Sequence, residues 1–273
     1  MTAAAVPAAR RGGATGGRAG LADAVGSEWI KFWSVRSTGW TLAVTLVAML
    51  GIGALATATG RDFVEDPTRR SLIGFFLAQL TLGVLGVLCM SAEYGTGSIR
   101  STLAAMPRRP VVLAAKILVL GAVVLVVSEV LSFAAFFMGQ ALLSGTGRNN
   151  AALGDAGVAR AVVGTGIYLA VLALLALGLA TVLRHTAGAI AAYAGVVLVL
   201  PIIVSALPAS LDDAITRYLP ANIGITVVTT TTTEGHLLGG APMFNPWAGL
   251  ALLGAYTVAV LLLGCWALVR RDA

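Results

Sequence analysis

Long apolar runs broken by short polar segments set the pattern of this 273-residue chain. Six runs are almost free of charge and at least as long as a membrane is thick: Thr38 to Thr59, Ser71 to Ala92, Val111 to Leu143, Ala161 to Leu183, Ala187 to Pro208 and Trp247 to Val269. About 20 helical residues cross the hydrocarbon, so each run predicts one transmembrane helix. The third run is longer than one crossing needs, and its helix is expected to tilt, to kink near Gly121 or to extend beyond the bilayer. Ahead of the first run, Leu21, Val25, Trp29, Phe32 and Trp33 share one side of a helix while Asp23 and Lys31 face elsewhere. This predicts an interfacial helix over 21–37, with Trp29, Trp33 and Trp40 anchored at headgroup depth; an ordinary juxtamembrane anchor is the plainer alternative. Glu28 interrupts the apolar arc. Residues 1–20, mostly Ala, Gly and Arg, predict a disordered tail, and their Gly-rich end lacks the apolar stretch of a cleavable signal peptide. Residues 38–273 then form one six-helix membrane domain.

Between the second and third runs the chain leaves the apolar pattern and returns to it within Glu93 to Lys116, EYGTGSIRSTLAAMPRRPVVLAAK. The Ser98 hydroxyl is placed to cap a short helix running through Ile99 to Met106, and Pro107 stops it. Ile99, Leu103 and Met106 recur at i, i+4 and i+7, with Arg100, Arg108 and Arg109 around them. An amphipathic helix this short is not stable alone, so it suits a groove in another protein; a solvated hairpin fits the spacing equally well.

Composition agrees with a membrane setting. Hydrophobic residues make up 58% and charged residues 11%, and the mean hydropathy is +0.91. Six spans put both termini on one side, which then holds twelve Lys and Arg: Arg10, Arg11, Arg18, Lys31, Arg36, Arg100, Arg108, Arg109, Lys116, Arg184, Arg270 and Arg271. The other side holds six, Arg61, Arg69, Arg70, Arg148, Arg160 and Arg217, together with Asp62, Glu65, Asp66, Asp155, Asp212, Asp213 and Glu234. The asymmetry makes the termini and the 93–116 loop cytoplasmic, in a multi-pass protein of the cell membrane. The net charge of +6 is thereby accounted for by topology and is no sign of nucleic-acid binding.

Candidate chemistry is sparse. Cys89 and Cys265 lie near the cytoplasmic ends of their spans and predict no disulfide; His185 and His236 fall on opposite sides and cannot share a metal. The sequence has no GxxxxGK[ST] phosphate loop, HExxH or GxSxG. Glu129 is the one ionisable residue well inside a span, with Ser132 and Gln140 on roughly the same face. This polar stripe either lines a substrate path, or Glu129 is protonated and hydrogen-bonded to a neighbouring helix. Gly83, Gly86, Gly164 and Gly178 are expected to let helices approach closely. The external segment from Ala209 to Pro246 has room for one or two short helices, with extended chain at Thr229 to Thr233; it is read as a lid over the outer mouth or as a loose loop.

The run Glu93-Tyr94-Gly95-Thr96-Gly97-Ser98-Ile99-Arg100, followed by Thr102-Leu103, Pro107-Arg108-Arg109 and Lys116, resembles the E-Y-x-x-G-T-I-R-x-T-L…P-x-R…K pattern of ABC-2 type transporter permeases, with Ser98 in place of threonine. Ser27-Glu28-Trp29-Ile30-Lys31 resembles the helix that leads into that family's first span. The resemblance implies an all-α integral membrane protein: an interfacial helix, six transmembrane helices, a cytoplasmic coupling helix after the second span and an external segment before the sixth. It also implies the membrane half of an exporter that pairs with itself or a related permease and docks a separate ATP-binding subunit. In that case Glu93, Gly97, Ser98, Ile99, Arg100 and Leu103 contact the ATPase, ATP and magnesium bind only the partner, and this chain holds no cofactor. Rocking of the first, second and fifth spans would open a central cavity, with Pro201 as a flexing point. A secondary transporter, for which Glu129 offers a lone midplane ligand, and a ligand-binding sensor or immunity protein are the alternatives.

Overall fold

The computed structural model describes residues 20–59, 66–145, 149–230 and 243–270. The predicted tail up to residue 19, Arg61, Asp62, Glu65, Arg148, Thr231 to Thr233, Glu234, His236 and Arg271 lie outside these ranges. The described residues form helices and turns, with no strand. Helix α1 (Leu21–Ser34) leads into α2 (Arg36–Ala58), followed by α3 (Pro67–Leu72), α4 (Phe75–Thr96), the short α5 (Ser98–Ala105) and the long α6 (Arg109–Gly145). Then come α7 (Val158–Leu183), α8 (Thr186–Ala194), α9 (Leu200–Ser205), α10 (Ala209–Ile215), α11 (Pro220–Val228) and α12 (Pro246–Arg270). Six segments among them are apolar and long enough to cross a membrane: Arg36–Ala58, Pro67–Thr96, Arg109–Gly145, Val158–Leu183, Thr186–Ser205 and Pro246–Arg270.

Helix α7 is the axis of the bundle, packed between α4, α6 and α12. Its apolar window is 67% buried against 28% for α2, for Thr186–Ser205 and for α12, so the last three carry most of the outward face. Small residues explain the tight packing at α7. Gly86 of α4 lies on the Ala173 carbonyl, where any β-carbon would overlap it, and Gly178 packs against Val260 and Leu261 of α12.

Helix α6 runs unbroken through Gly121 for 37 residues, about 55 Å at 1.5 Å per residue. No break in the helix occurs at Gly121, and its length exceeds a hydrocarbon layer of about 30 Å. The fifth segment does depart from a regular helix. Pro201 has no N–H to continue the ladder, and just before it Gly195–Val199 forms a π-turn, with the Leu200 N–H reaching the Gly195 carbonyl. Of the external segment, α11 is almost wholly buried against α7 and α12, and Gly224 sits on the Tyr168 ring. This part is a packed element and not a loose loop.

Opposite ends of the bundle are closed by different polar contacts. At one end Asp66 caps α3 by accepting from the Thr68 and Arg69 N–H groups at 2.9 and 3.3 Å, and it also accepts from the N–H and hydroxyl of Thr230. At the other, Arg109 and Arg184 donate to the Leu268 and Ala267 carbonyls in the last turn of α12, where cationic donors meet the unpaired C=O groups of a helix end. Helix α5 lies at this second end.

Candidate functional site

Four charged side chains meet beneath α5. The Lys116 ammonium donates to Glu28 Oε2 and Glu93 Oε1, both at 2.7 Å, and to the Cys89 carbonyl at 3.2 Å. Lys31 donates to Glu28 Oε1 at 2.8 Å, and to Glu93 Oε1 and the Thr102 hydroxyl, both at 3.1 Å. Two cations and two carboxylates thus alternate, and each carboxylate bridges both lysines. The cluster joins α1, the end of α4, α5 and the first turns of α6. Lys116 is 2% exposed and Glu28 5%, whereas the Lys31 side chain is 42% exposed and marks the open edge. A bare charge at such depth is costly, so its partners determine whether the arrangement is stable.

Local sequence accounts for each placement. Helix α1 buries Ala24, Glu28 and Phe32, a stripe at i, i+4 and i+8 that points Glu28 inward. Helix α4 ends at Gly97, whose φ of 72° is left-handed, and the same residue precedes α5. Two helices therefore meet at a sharp corner that keeps Glu93 facing Lys116. Beside the cluster a cavity of about 500 Å³ opens between α1, α2, α4 and α5, lined by Leu85, Leu88, Glu93, Ser98, Thr102 and Lys116 among others. The Thr102 hydroxyl, which accepts from Lys31, borders this cavity on the inner side of α5.

Two expectations for this loop need correction. Ser98 is not the cap: Gly97 occupies that position, and the Ser98 hydroxyl lies 2.9 Å from that of Thr96. The apolar face of α5 is not free for a partner's groove either. Ile99 is 3% exposed and joins the protein's own core, with Leu103 packed against it, because covering these side chains within the chain removes them from water at once. Gly97, Ser98, Arg100, Ser101 and Ala104 remain exposed. Glu93 is turned inward to the two lysines.

The polar stripe of α6 divides. Ser132 donates to the Val162 carbonyl at 2.6 Å, and Gln140 joins the Pro67 carbonyl, the Ser71 hydroxyl and the Ala151 N–H, so both fasten α6 to its neighbours. Glu129 is half-buried against Gly166, and its Oε2 has no hydrogen-bond partner among the described residues. The hydrogen bond to a neighbouring helix, one of the two readings of this residue, is thus not made within them. Trp29, Trp33 and Trp40 are exposed at 48%, 49% and 73%, on the outer side of α1 and the first turns of α2. The apolar arc read from the sequence is therefore largely the outward face of α1, and the stripe through Glu28 is the inward one.

Sequence reasoning named Glu28 as a blemish and placed Lys31 and Lys116 only within matched patterns. It missed that they close a cluster with Glu93. The signal was present: a carboxylate on the buried side of an amphipathic helix, and a lysine two turns inside an apolar span, each require an opposite charge.

Six apolar helical segments, one of them the buried central helix α7, define a multi-pass α-helical membrane protein. The α5 corner, inserted between its second and third crossings, is the polar element of that frame. Residues 27–273 match the family model of the ABC-2 family transporter protein, and the chain belongs to that family. No curated protein matches it. The chain is the membrane component of a transporter.

Proposed function

We propose that this chain is the permease subunit of an ATP-driven exporter and that α5 is the element through which a separate ATP-binding subunit moves it. The observation that carries this reading is the joint under α5. The exposed side of α5, with Gly97, Ser98, Arg100, Ser101 and Ala104, is tied through Thr102, Lys31, Glu28, Glu93 and Lys116 to two membrane helices, α4 and α6, and to α1. A push on the exposed side reaches all of them. Docking falls to Gly97, Ser98, Arg100 and Ala104, while Glu93, Ile99 and Leu103 hold α5 to the bundle. The α5 end is cytoplasmic, as the Lys and Arg asymmetry requires, and Trp29, Trp33 and Trp40 lie at the interface beside it. Hydrolysis takes place in the partner, and the pathway lies between two permease chains that carry a hydrophobic or amphipathic cargo outward.

The test is co-purification in detergent with the ATP-binding subunit encoded nearest to this chain. Arg100→Glu combined with Ala104→Glu changes only exposed positions and is expected to release the ATPase from a folded permease. Undiminished binding by that variant overturns the docking role of α5.

A further inference from the structure

We infer that Glu129 is a binding site for the cationic group, an ammonium above all, of an amphipathic cargo. Glu129 lies 13 residues beyond Lys116 along an uninterrupted helix, about 20 Å, and 11 residues short of Gln140, about 16 Å. Those distances place it near mid-depth of the hydrocarbon. Its position is built and held. Ser128 donates to the Gly166 carbonyl at 2.9 Å and Ser132 to the Val162 carbonyl, which clamps α6 to α7 on both sides of the carboxyl. Gly166 itself faces the acid, and any β-carbon there would overlap the Glu129 carboxyl. Room has been left for an acid that, among the described residues, makes no hydrogen bond through Oε2 and no ion pair. Neighbouring outward positions on α6, Val126 and Val130, are each 63% exposed, so an apolar body could lie beside the acid.

Among the described residues no basic side chain pairs with it. Lys116 is committed to Glu28 and Glu93. Arg160, six residues from Gly166, donates to the Val227 and Thr229 carbonyls. A second copy related by a two-fold axis along the membrane normal would bring the same residue types to the same depth, so it too offers no cation at this level. When ionised, this carboxyl takes its counter-charge from outside the described residues, and in a transporter the molecule that reaches mid-depth is the cargo. This inference rests on the proposed reading of the chain as the half that carries cargo, but its test needs no ATPase.

The probe is an eight-carbon alkylammonium with a dansyl group at its far end, titrated by fluorescence against the full chain in lipid nanodiscs, with empty nanodiscs as the blank. Its N-acetylated form is the neutral control. The wild type is expected to bind the amine and not the neutral form. Glu129→Gln should weaken binding roughly ten- to a hundredfold, the effect of one charge-assisted hydrogen bond, while Glu129→Asp keeps the charge and most of the affinity. An unchanged elution profile in gel filtration shows that the variants fold. Equal binding by Glu129→Gln, equal binding of the neutral probe, or no binding by the wild type above empty nanodiscs each overturns the inference, the last by showing that the carboxyl carries only a proton. Failure of the α5 docking experiment would leave a positive binding result standing.

Discussion

Replacing Lys116 by methionine keeps the stem of the side chain and deletes its charge at a position 2% exposed to solvent. The ammonium makes two ion pairs at 2.7 Å and one hydrogen bond to a carbonyl at 3.2 Å. Without it Glu28 and Glu93 face each other across a buried gap, with the half-exposed Lys31 as their common partner. Removing one member of a buried pair costs about 3–5 kcal/mol, chiefly because the remaining charge is left uncompensated. Lys31→Met removes the other lysine at the open edge, where water screens the charges, and should cost no more than about 1 kcal/mol. Combining Glu28→Gln with Lys116→Met deletes the uncompensated acid as well, so the double change should cost less than the sum of the singles by about 0.5–3 kcal/mol. Equilibrium unfolding in mixed micelles with increasing dodecyl sulfate, followed by helical ellipticity, measures all four. The reasoning fails if Lys116→Met costs no more than Lys31→Met, or if Glu28→Gln and Lys116→Met are additive.

Gln140→Leu removes partners of the Pro67 carbonyl, the Ser71 hydroxyl and the Ala151 N–H, and should destabilise by about 1–3 kcal/mol in the same unfolding assay. Gly83→Ala drives a methyl group into the buried Tyr193 ring and should cost about 1–3 kcal/mol; in the Tyr193→Ala background the same change should cost much less, and equal costs in both backgrounds would show that the two side chains do not meet.

Much of the fold could be read from hydropathy alone because a bilayer constrains a chain so strongly. A run of about 20 apolar residues has few structural options in hydrocarbon, and all six runs became helical segments. The features that escaped the reading depend on which residue faces which. Periodicity placed Ile99 and Leu103 on one face of α5 but could not say whether this chain or another covers that face. The answer depends on where Gly97 turns the helix relative to α4. Ser98 looked like a cap because of its residue type, yet the left-handed Gly97 already filled that role and left the hydroxyl to Thr96. The clearest lesson is Glu28. Against a purely apolar arc it counted as an error, whereas it belongs to a second, inward stripe with Ala24 and Phe32, whose purpose shows only once Lys116 lies opposite.

The arrangement of charge and packing suggests how motion would divide under the proposed reading. An apolar contact between α5 and the bundle could slide, because burial is insensitive to direction. The four-charge cluster tolerates one register: a shift of a few ångströms would leave Lys116 bonded to neither carboxylate, at a depth where the loss is severe. Force applied to α5 is therefore passed on stiffly to α1, α4 and α6. Compliance must lie elsewhere, and the fifth segment supplies it. Helix α8 is pinned to α4 by the Tyr193 hydroxyl, which donates to the Gln79 carbonyl at 2.7 Å. Beyond the π-turn α9 exposes Ile202 and Ile203 and packs mainly on that turn and α10. A stiff joint at one end and a wide-turned, loosely covered half-helix at the other let a displacement delivered at α5 change the outer face without disturbing the core around α7.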